Sequence, residues 1–172
     1  MGVVCPGGGY VKLSTYGEGQ YVADWMLSKG ITVAVVKHRM PEGHWNIPLE
    51  DVHNAFRYCR AHAQEWKVKQ IGVIGFSAGG HLAACASNLY VDSVTRPDFS
   101  ILIYPVISFD YNVYRSGTRP ALIGKEEVWT NSGIPVSGKG LNFISALGIA
   151  LSKAVVNHNR YLTGSVGHSL FC

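Results

Sequence analysis

Apolar residues along this chain fall into two patterns, short and mainly apolar runs and longer stretches with helical spacing. Short apolar runs are typical of strands buried in a parallel sheet. They occupy residues 3–5, 31–36, 69–74, 99–104 and 154–162. Helical spacing of apolar residues occurs over 16–29, 49–66, 81–89 and 141–151. Because strands and helices alternate, the pattern predicts an α/β fold with a mainly parallel sheet.

Individual positions extend this prediction. Trp25 and Trp66 lie on the apolar stripes of the first two helices, and we expect both in the core. Glu50 and Asp51 suit the N-terminal dipole of the second helix. Residues 110–140 are rich in Gly, Ser, Thr and Pro, and we expect this interval to be irregular.

Composition narrows the class of protein. A length of 172 residues suits a single domain. The net charge of +4 comes from dispersed Lys and Arg, which argues against nucleic-acid binding. No apolar run approaches the roughly 18 residues that a membrane helix needs. His and Cys lack the spacing of a metal site, and no dinucleotide-binding motif is present, so we expect no metal and no cofactor.

The cysteines and the N-terminus bear on location. Cys5, Cys59 and Cys85 lie within apolar segments, and we expect buried free thiols of the kind found in a reducing compartment. The chain does not begin with a basic segment followed by a long apolar stretch, so no signal peptide is visible. These features predict a cytoplasmic protein, although a Met-Gly start also fits a chain shortened at its N-terminus.

The strongest chemical signal is the sequence I-G-V-I-G-F-S-A-G-G at residues 71–80. An apolar strand runs into G-x-S-x-G, and an Ala-rich helix follows, which is the context of a nucleophile elbow. Ser77 is therefore the predicted nucleophile. A serine hydroxyl reacts only when a neighbouring imidazole accepts its proton and N–H donors stabilise the resulting oxyanion.

Candidates for both partners are present. Among downstream histidines, His81 lies too close along the same helix to act as the base, and we expect it to be structural. His168 follows the last predicted strand in a Gly-rich segment and is the predicted base. The backbone N–H groups of Gly8, Gly9 and Ala78 are the predicted oxyanion donors.

Three aromatic residues are candidates for lining the substrate pocket. Tyr10 belongs to the Gly-rich loop, Trp45 to a surface loop, and Tyr104 to the C-terminal end of a strand. Ligands of open α/β sheets bind at those strand ends. Packing without substrate contact is the alternative for each of them.

Together these residues resemble the esterase and lipase branch of the α/β-hydrolases, and more closely bacterial acetyl-esterase and acetyl-xylan-esterase-like proteins. The resemblance is dense over about residues 3–125. It rests on V-V-C-P-G-G-G-Y (3–10), K-H-R-M-P-E-G-H (37–44), P-L-E-D-V (48–52), G-F-S-A-G-G-H-L-A (75–83), R-P-D-F (96–99) and Y-P-V-I-S-F-D (104–110).

The resemblance places Asn131 where the family has its triad aspartate. The triad acid is then an open question with three answers. Glu126 or Glu127 supplies the carboxylate; Asn131 orients His168 in a weakened site; or no working triad exists. In the serine-protease template the equivalent acid-to-amide change costs about 10⁴ in turnover.

The same resemblance implies a shortened α/β-hydrolase fold of about five strands with helices on both faces, in one domain over residues 1–172. Strand 31–36 would become an exposed edge, and a gap would open beside strand 99–104. An exposed apolar strand edge tends to pair with another chain, so we expect a homodimer or a strand-exchanged assembly.

Two functions follow from these residues. The first is a serine carboxylesterase that hydrolyses short acyl esters, with acetyl groups on carbohydrate as candidate substrates, through an acyl-serine intermediate. The second is a non-catalytic remnant of such an enzyme that acts as a binding module or is a truncated product. The complete elbow favours the first, and the missing acid favours the second.

Overall fold

The computed structural model describes residues 1–106 and 117–124, and within them four strands form one parallel sheet. The strands are β1 (Gly2–Cys5), β2 (Val33–Val35), β3 (Gly72–Phe76) and β4 (Ser100–Ile103), in the order β2-β1-β3-β4. A π-helical segment (Thr15–Gln20) precedes α1 (Tyr21–Ser28), which is followed by α2 (Asn46–His62), α3 (Ala78–Asn88) and α4 (Thr118–Ile123). The predicted strand 154–162 and helix 141–151 lie outside the described residues.

Strand pairing brings the functional segments to one edge of the sheet. Within the central pairs, Cys5 lies beside Gly75, and Phe76 lies beside Ile103. All described strands run parallel, so their C-terminal ends meet at the same edge. The Gly-rich loop, the elbow and Tyr104 each follow one of these ends.

The predicted placement of helices on both faces is confirmed. On one face, Val3 and Val73 pack with Phe56 of α2 and Leu82 of α3 in the larger core cluster. On the other face, Val4 and Ile74 pack with Met26 of α1. Alternate residues of β1 thus point to opposite cores, as the period of a strand requires.

Two predictions about tryptophan require correction. Trp25 is 60% exposed, because α1 turns Ala23 and Met26 towards the sheet and leaves Trp25 beside them. Trp66 follows the end of α2, where it is half-buried, packs against the larger core cluster and stacks its ring on His62 with centroids 5.0 Å apart. The helix predicted over 49–66 therefore ends at His62, and Trp66 reaches the edge of the core from the turn that follows.

The interval predicted to be irregular contains helix α4. Leu122 and Ile123 of this helix are 2% and 3% exposed and belong to the larger core cluster. The Gly43 N–H donates to the Ala121 carbonyl at 3.0 Å, which attaches α4 to the loop before α2. Burial of two adjacent apolar residues orders this turn where the surrounding composition favours loops.

The two acidic residues that were predicted to face the N-terminal dipole of α2 lie in its second turn, because the helix begins at Asn46 and its first turn holds no acidic residue. Both have a tertiary partner instead. Arg39 donates to Asp51 through its backbone N–H and its guanidinium, at 2.7–3.1 Å. Glu50 lies 3.6 Å from the same guanidinium. Asp51 therefore connects α2 to the segment after β2, a role that the dipole prediction did not include.

The expectation of buried free thiols is confirmed for the three cysteines in the described residues. Cys5, Cys59 and Cys85 are free and buried. Burial raises the pKa of Cys5 and of Cys85 to about 12, so these thiols stay protonated at neutral pH. Cys172 lies outside the described residues.

Asp98 connects three parts of the chain next to the start of β3. Its carboxylate accepts hydrogen bonds from both terminal nitrogens of Arg60 at 2.9 and 3.0 Å and from the Ile71 N–H at 2.7 Å. The side chains of Arg60 and Asp98 are 23% and 25% exposed. The hydrogen bonds from Arg60 lead in holding the pKa of Asp98 below its usual value.

We expect Asp98→Ala to lower the free energy of unfolding by about 2 kcal/mol at neutral pH, because charge-assisted hydrogen bonds are lost. Since the folded pKa is depressed, this contribution is complete above the unfolded value of about 4 and disappears as pH falls through the folded value. Urea unfolding of wild type and variant at several pH values measures it. The control Asp24→Ala removes an exposed carboxylate and should change stability by less than about 0.5 kcal/mol. A pH-independent difference between Asp98→Ala and wild type would contradict this account.

Candidate active site

Ser77 occupies the sharp turn between β3 and α3. Its backbone has φ 52° and ψ −119°, a conformation that non-glycine residues rarely adopt. The Ser77 N–H donates to the Ile103 carbonyl at 3.1 Å, and the Ser77 carbonyl accepts from the N–H groups of His81 and Val106. The strand, turn and helix that the elbow motif predicts are therefore all present, and hydrogen bonds on both sides hold the strained turn.

The glycines of the motif allow two backbones to meet. A Cβ on Gly75 would lie 2.1 Å from the Gly79 carbonyl oxygen, and a Cβ on Gly79 would lie 2.1 Å from the Cys5 carbonyl oxygen. Neither distance is compatible with a side chain. The first turn of α3 therefore packs directly on the end of β1, which brings the elbow beside the Gly-rich loop.

The Gly-rich loop at residues 6–10 curls back towards Ser77. Gly8, Gly9 and Tyr10 have positive φ values of 132°, 67° and 59°. A Cβ on Gly7 would lie 3.0 Å from the Ser77 Cβ, which fixes how closely loop and nucleophile approach each other. Loop and elbow, separated by about 70 residues in sequence, therefore meet as the hydrolase motif requires.

The predicted oxyanion donors have N–H groups that the described structure leaves unused. Gly8 and Gly9 donate no backbone hydrogen bond to any described residue. Ala78 is the first residue of α3, so its N–H has no partner within the helix. Gly7 differs from them, since its N–H donates to Glu18 Oε2 at 2.6 Å.

Glu18 is a site residue that sequence reasoning missed. Its Oε1 accepts a hydrogen bond from the Tyr104 hydroxyl at 2.5 Å, while Oε2 accepts the Gly7 N–H. A carboxylate between two glycines, shortly after the Gly-rich loop, was the available signal. Its importance depends on Tyr104, which lies 86 residues away in sequence.

The three predicted pocket aromatics differ in exposure. Tyr10 is 3% exposed, and its hydroxyl shares a hydrogen bond of 2.9 Å with His81 Nδ1. The burial of Tyr10 favours the packing alternative over its predicted place in the substrate pocket, and the buried position of His81 agrees with the structural role expected of it. Trp45 is half-buried against the larger core cluster. Tyr104 is 58% exposed and remains a candidate for substrate contact.

The remaining predicted catalytic residues lie outside the described residues. These are the base His168, Asn131 at the family acid position, and the alternative acids Glu126 and Glu127. The described residues thus include the predicted nucleophile and the predicted oxyanion loop. The base and acid remain predictions from sequence.

The described residues hold no group of three or more His, Cys, Asp or Glu side chains that could bind a metal ion. Across the same residues, none of the helices combines the length and apolar character that crossing a membrane requires.

The profile of the BD-FAE family matches residues 2–93, more than half of the chain. An acetylxylan esterase of Xylanibacter ruminicola is 44% identical over 123 residues, which cover 70% of this chain and 25% of that protein. An endo-1,4-beta-xylanase B of Butyrivibrio fibrisolvens is 30% identical over 138 residues and is covered to 21% of its length.

Among solved structures, an acetyl ester-xyloside bifunctional hydrolase of Caldicellulosiruptor lactoaceticus superposes with a TM-score of 0.65 at 35% identity. The match covers 73% of this chain and 50% of that one. The present chain thus spans a quarter or less of the two curated relatives and half of this solved structure. The predicted resemblance and the α/β-hydrolase fold are confirmed, and the chain belongs to the BD-FAE family.

Proposed function

We propose that this chain is a serine carboxylesterase that hydrolyses short acyl esters through an acyl-Ser77 intermediate. The observation that carries this proposal is the meeting of the elbow and the Gly-rich loop. A Cβ on Gly7 would touch the Ser77 Cβ, and the N–H groups of Gly8, Gly9 and Ala78 have no partner among the described backbone groups. A strained serine beside unpaired N–H donors is the arrangement that acyl transfer needs.

In the proposed reaction, the hydroxyl oxygen of Ser77 attacks the ester carbonyl while His168 accepts the hydroxyl proton. The carbonyl oxygen becomes an oxyanion near the N–H groups of Gly8, Gly9 and Ala78. Collapse breaks the ester bond, and the proton from His168 passes to the departing alcohol. Water then repeats the sequence on the acyl-serine and releases the carboxylic acid.

Acetyl groups on carbohydrate are the substrate class that we propose. The acetylxylan esterase and the acetyl ester-xyloside hydrolase that resemble this chain support it by the names they carry. Exposed Tyr104 at the end of β4 supports it independently, because an aromatic face beside the nucleophile suits contact with a sugar ring. The buried free thiols further support a cytoplasmic location.

We further propose that a second copy of this chain covers an apolar groove of about 530 Å³ between α1 and the outer part of the sheet. Trp25, Phe99 and Ile101 line this groove and are 60%, 39% and 46% exposed. β4 is the outermost of the described strands on this side of the sheet and lies beside the groove. An edge strand continuous with an apolar face favours an isologous contact, in which each copy offers the same surface.

Hydrolysis of an activated acetate ester tests the chemistry. We expect Ser77→Ala to reduce turnover to the level of a mock preparation and His168→Ala to reduce it by at least about 10³-fold, because nucleophile and base act as one unit. Circular dichroism of each variant provides the control for folding. Equal rates for wild type and both variants would show that the chain is the non-catalytic remnant.

The acid position can be tested by adding the missing charge. We expect Asn131→Asp to raise turnover by about 10-fold or more, because a carboxylate stabilises the imidazolium of His168 better than an amide does. Asn131→Ala is the matched variant, and it should not increase the rate. If Asn131→Asp leaves turnover unchanged while Glu126→Gln or Glu127→Gln lowers it, the acid is one of those glutamates.

Sedimentation equilibrium at micromolar concentration tests the assembly. We expect a dimer for the wild type and a shift towards monomer for Ile101→Glu, because a buried unpaired charge weakens the contact by several kcal/mol. Val91→Glu is the control, since Val91 is 70% exposed and does not line the groove. A strictly monomeric wild type would show that the groove is not a contact between copies.

A further inference from the structure

Glu18 connects three parts of the site through its two carboxylate oxygens. Oε2 accepts the Gly7 N–H at 2.6 Å, and Oε1 accepts the Tyr104 hydroxyl at 2.5 Å. Gly7 begins the Gly-rich loop after β1, Tyr104 follows β4, and Glu18 belongs to the π-helical segment before α1. One half-buried carboxylate therefore links the C-terminal ends of β1 and β4, two strands that are not neighbours in the sheet.

This carboxylate lies close to the nucleophile. A Cβ on Gly7 would be 2.9 Å from Glu18 Oε2 and 3.0 Å from the Ser77 Cβ. The Glu18 carboxylate and the Ser77 side chain thus both lie beside the position that a side chain on Gly7 would occupy. A free negative charge there would oppose a developing oxyanion, but each oxygen of Glu18 already accepts a short hydrogen bond, which disperses its charge.

Hydrogen bonds fix Gly7 from both sides. Its N–H donates to Glu18, and its carbonyl accepts the Ser14 N–H at 2.9 Å. In a trans peptide the carbonyl and the following N–H point in opposite directions. Fixing the Gly7 carbonyl on Ser14 therefore turns the Gly8 N–H away from Ser14, and fixing the Gly7 N–H prevents rotation of the preceding peptide.

The surroundings of Tyr104 favour a lasting hydrogen bond from its hydroxyl to Glu18. Its ring contacts Phe76 edge-on with centroids 6.0 Å apart, and its backbone has a positive φ of 36°. Partial burial and the hydrogen bond to Glu18 raise the pKa of Tyr104 to about 12. The hydroxyl therefore keeps its proton across the pH range in which an esterase works.

We propose that Glu18 is a positioning residue that holds the residue 7–9 loop in the orientation needed for oxyanion binding, with Tyr104 orienting Glu18 in turn. This inference rests on the proposed acyl transfer at Ser77. The Gly7 N–H is occupied by Glu18, so Gly8 and Gly9 are the loop donors left for the oxyanion. Glu18 acts through these N–H groups and does not itself contact the reacting atoms.

The test compares Glu18→Asp, Glu18→Ala and Glu18→Gln with wild type in the full chain. We expect Glu18→Asp and Glu18→Ala to lower kcat for an activated acetate ester by about 10- to 100-fold with KM within about twofold, since loss of one oxyanion donor costs about 10²–10³. Glu18→Gln should recover most of the rate, because its amide oxygen still accepts the Gly7 N–H. Asp24→Ala, an exposed carboxylate of α1, is the matched control and should keep the wild-type rate.

A second readout is the affinity of a boronic acid, which forms a tetrahedral adduct on an active serine. We expect its inhibition constant to rise in Glu18→Asp in proportion to the loss of kcat, because both report the oxyanion donors. Tyr104→Phe in the Glu18→Asp background should cause little further loss of kcat, since the two residues act in series. A purely structural role would lower the thermal midpoint without this pattern.

The outcomes separate the inference from the function on which it rests. Wild-type activity that Ser77→Ala abolishes and that Glu18→Asp and Glu18→Ala leave unchanged overturns the role of Glu18 alone. A wild type no faster than Ser77→Ala overturns the proposed function itself. If Glu18→Ala fails to fold, the milder Glu18→Asp decides, since it keeps the charge and shortens the reach.

Discussion

The whole site depends on one close contact between backbones, where the first turn of α3 lies against the end of β1. A Cβ on Gly79 would be 2.1 Å from the Cys5 carbonyl oxygen, and a Cβ on Gly75 would be as close to Gly79. This approach brings the strained Ser77 turn beside the residue 6–10 loop. Without it, Ser77 and the Gly-rich loop, which follow different strands, would lie too far apart to act together in the proposed reaction.

Hydrogen bonds around this contact hold the Ser77 turn and the residue 6–10 loop in place. The Ser77 backbone is held by Ile103 and Val106 on the β4 side and by His81 within α3. The loop is held by Glu18, which also accepts from Tyr104. Tyr10 closes the other side of the loop by entering the core and bonding to His81. The described elements therefore fix the Ser77 turn and the residue 6–10 loop relative to each other, which is the preorganisation that the proposed stabilisation of an oxyanion requires.

Sequence alone predicted most of this framework, for identifiable reasons. Apolar runs and helical spacing located all four described strands and the helices α1, α2 and α3, because burial periodicity is a local property. The G-x-S-x-G motif located Ser77 because the turn needs those glycines. Trp25 was misplaced because an apolar stripe does not say which of two adjacent positions faces the sheet, and α4 was missed because two buried residues outweigh a loop-like composition. Glu18 was not predicted as a site residue because its partners, Gly7 and Tyr104, follow different strands.

Ser77 is the residue proposed to carry the acyl group, and trapping the acyl intermediate tests this role most directly. Brief reaction of the full chain with an activated acetate ester, quenching in acid and mass spectrometry of the peptides would locate any acetyl group. The account predicts one acetyl group on the peptide containing Ser77, formed at the rate of the initial burst and absent in Ser77→Ala. Hydrolysis that proceeds with no acetylated Ser77, or with the acetyl group on another residue, would contradict it.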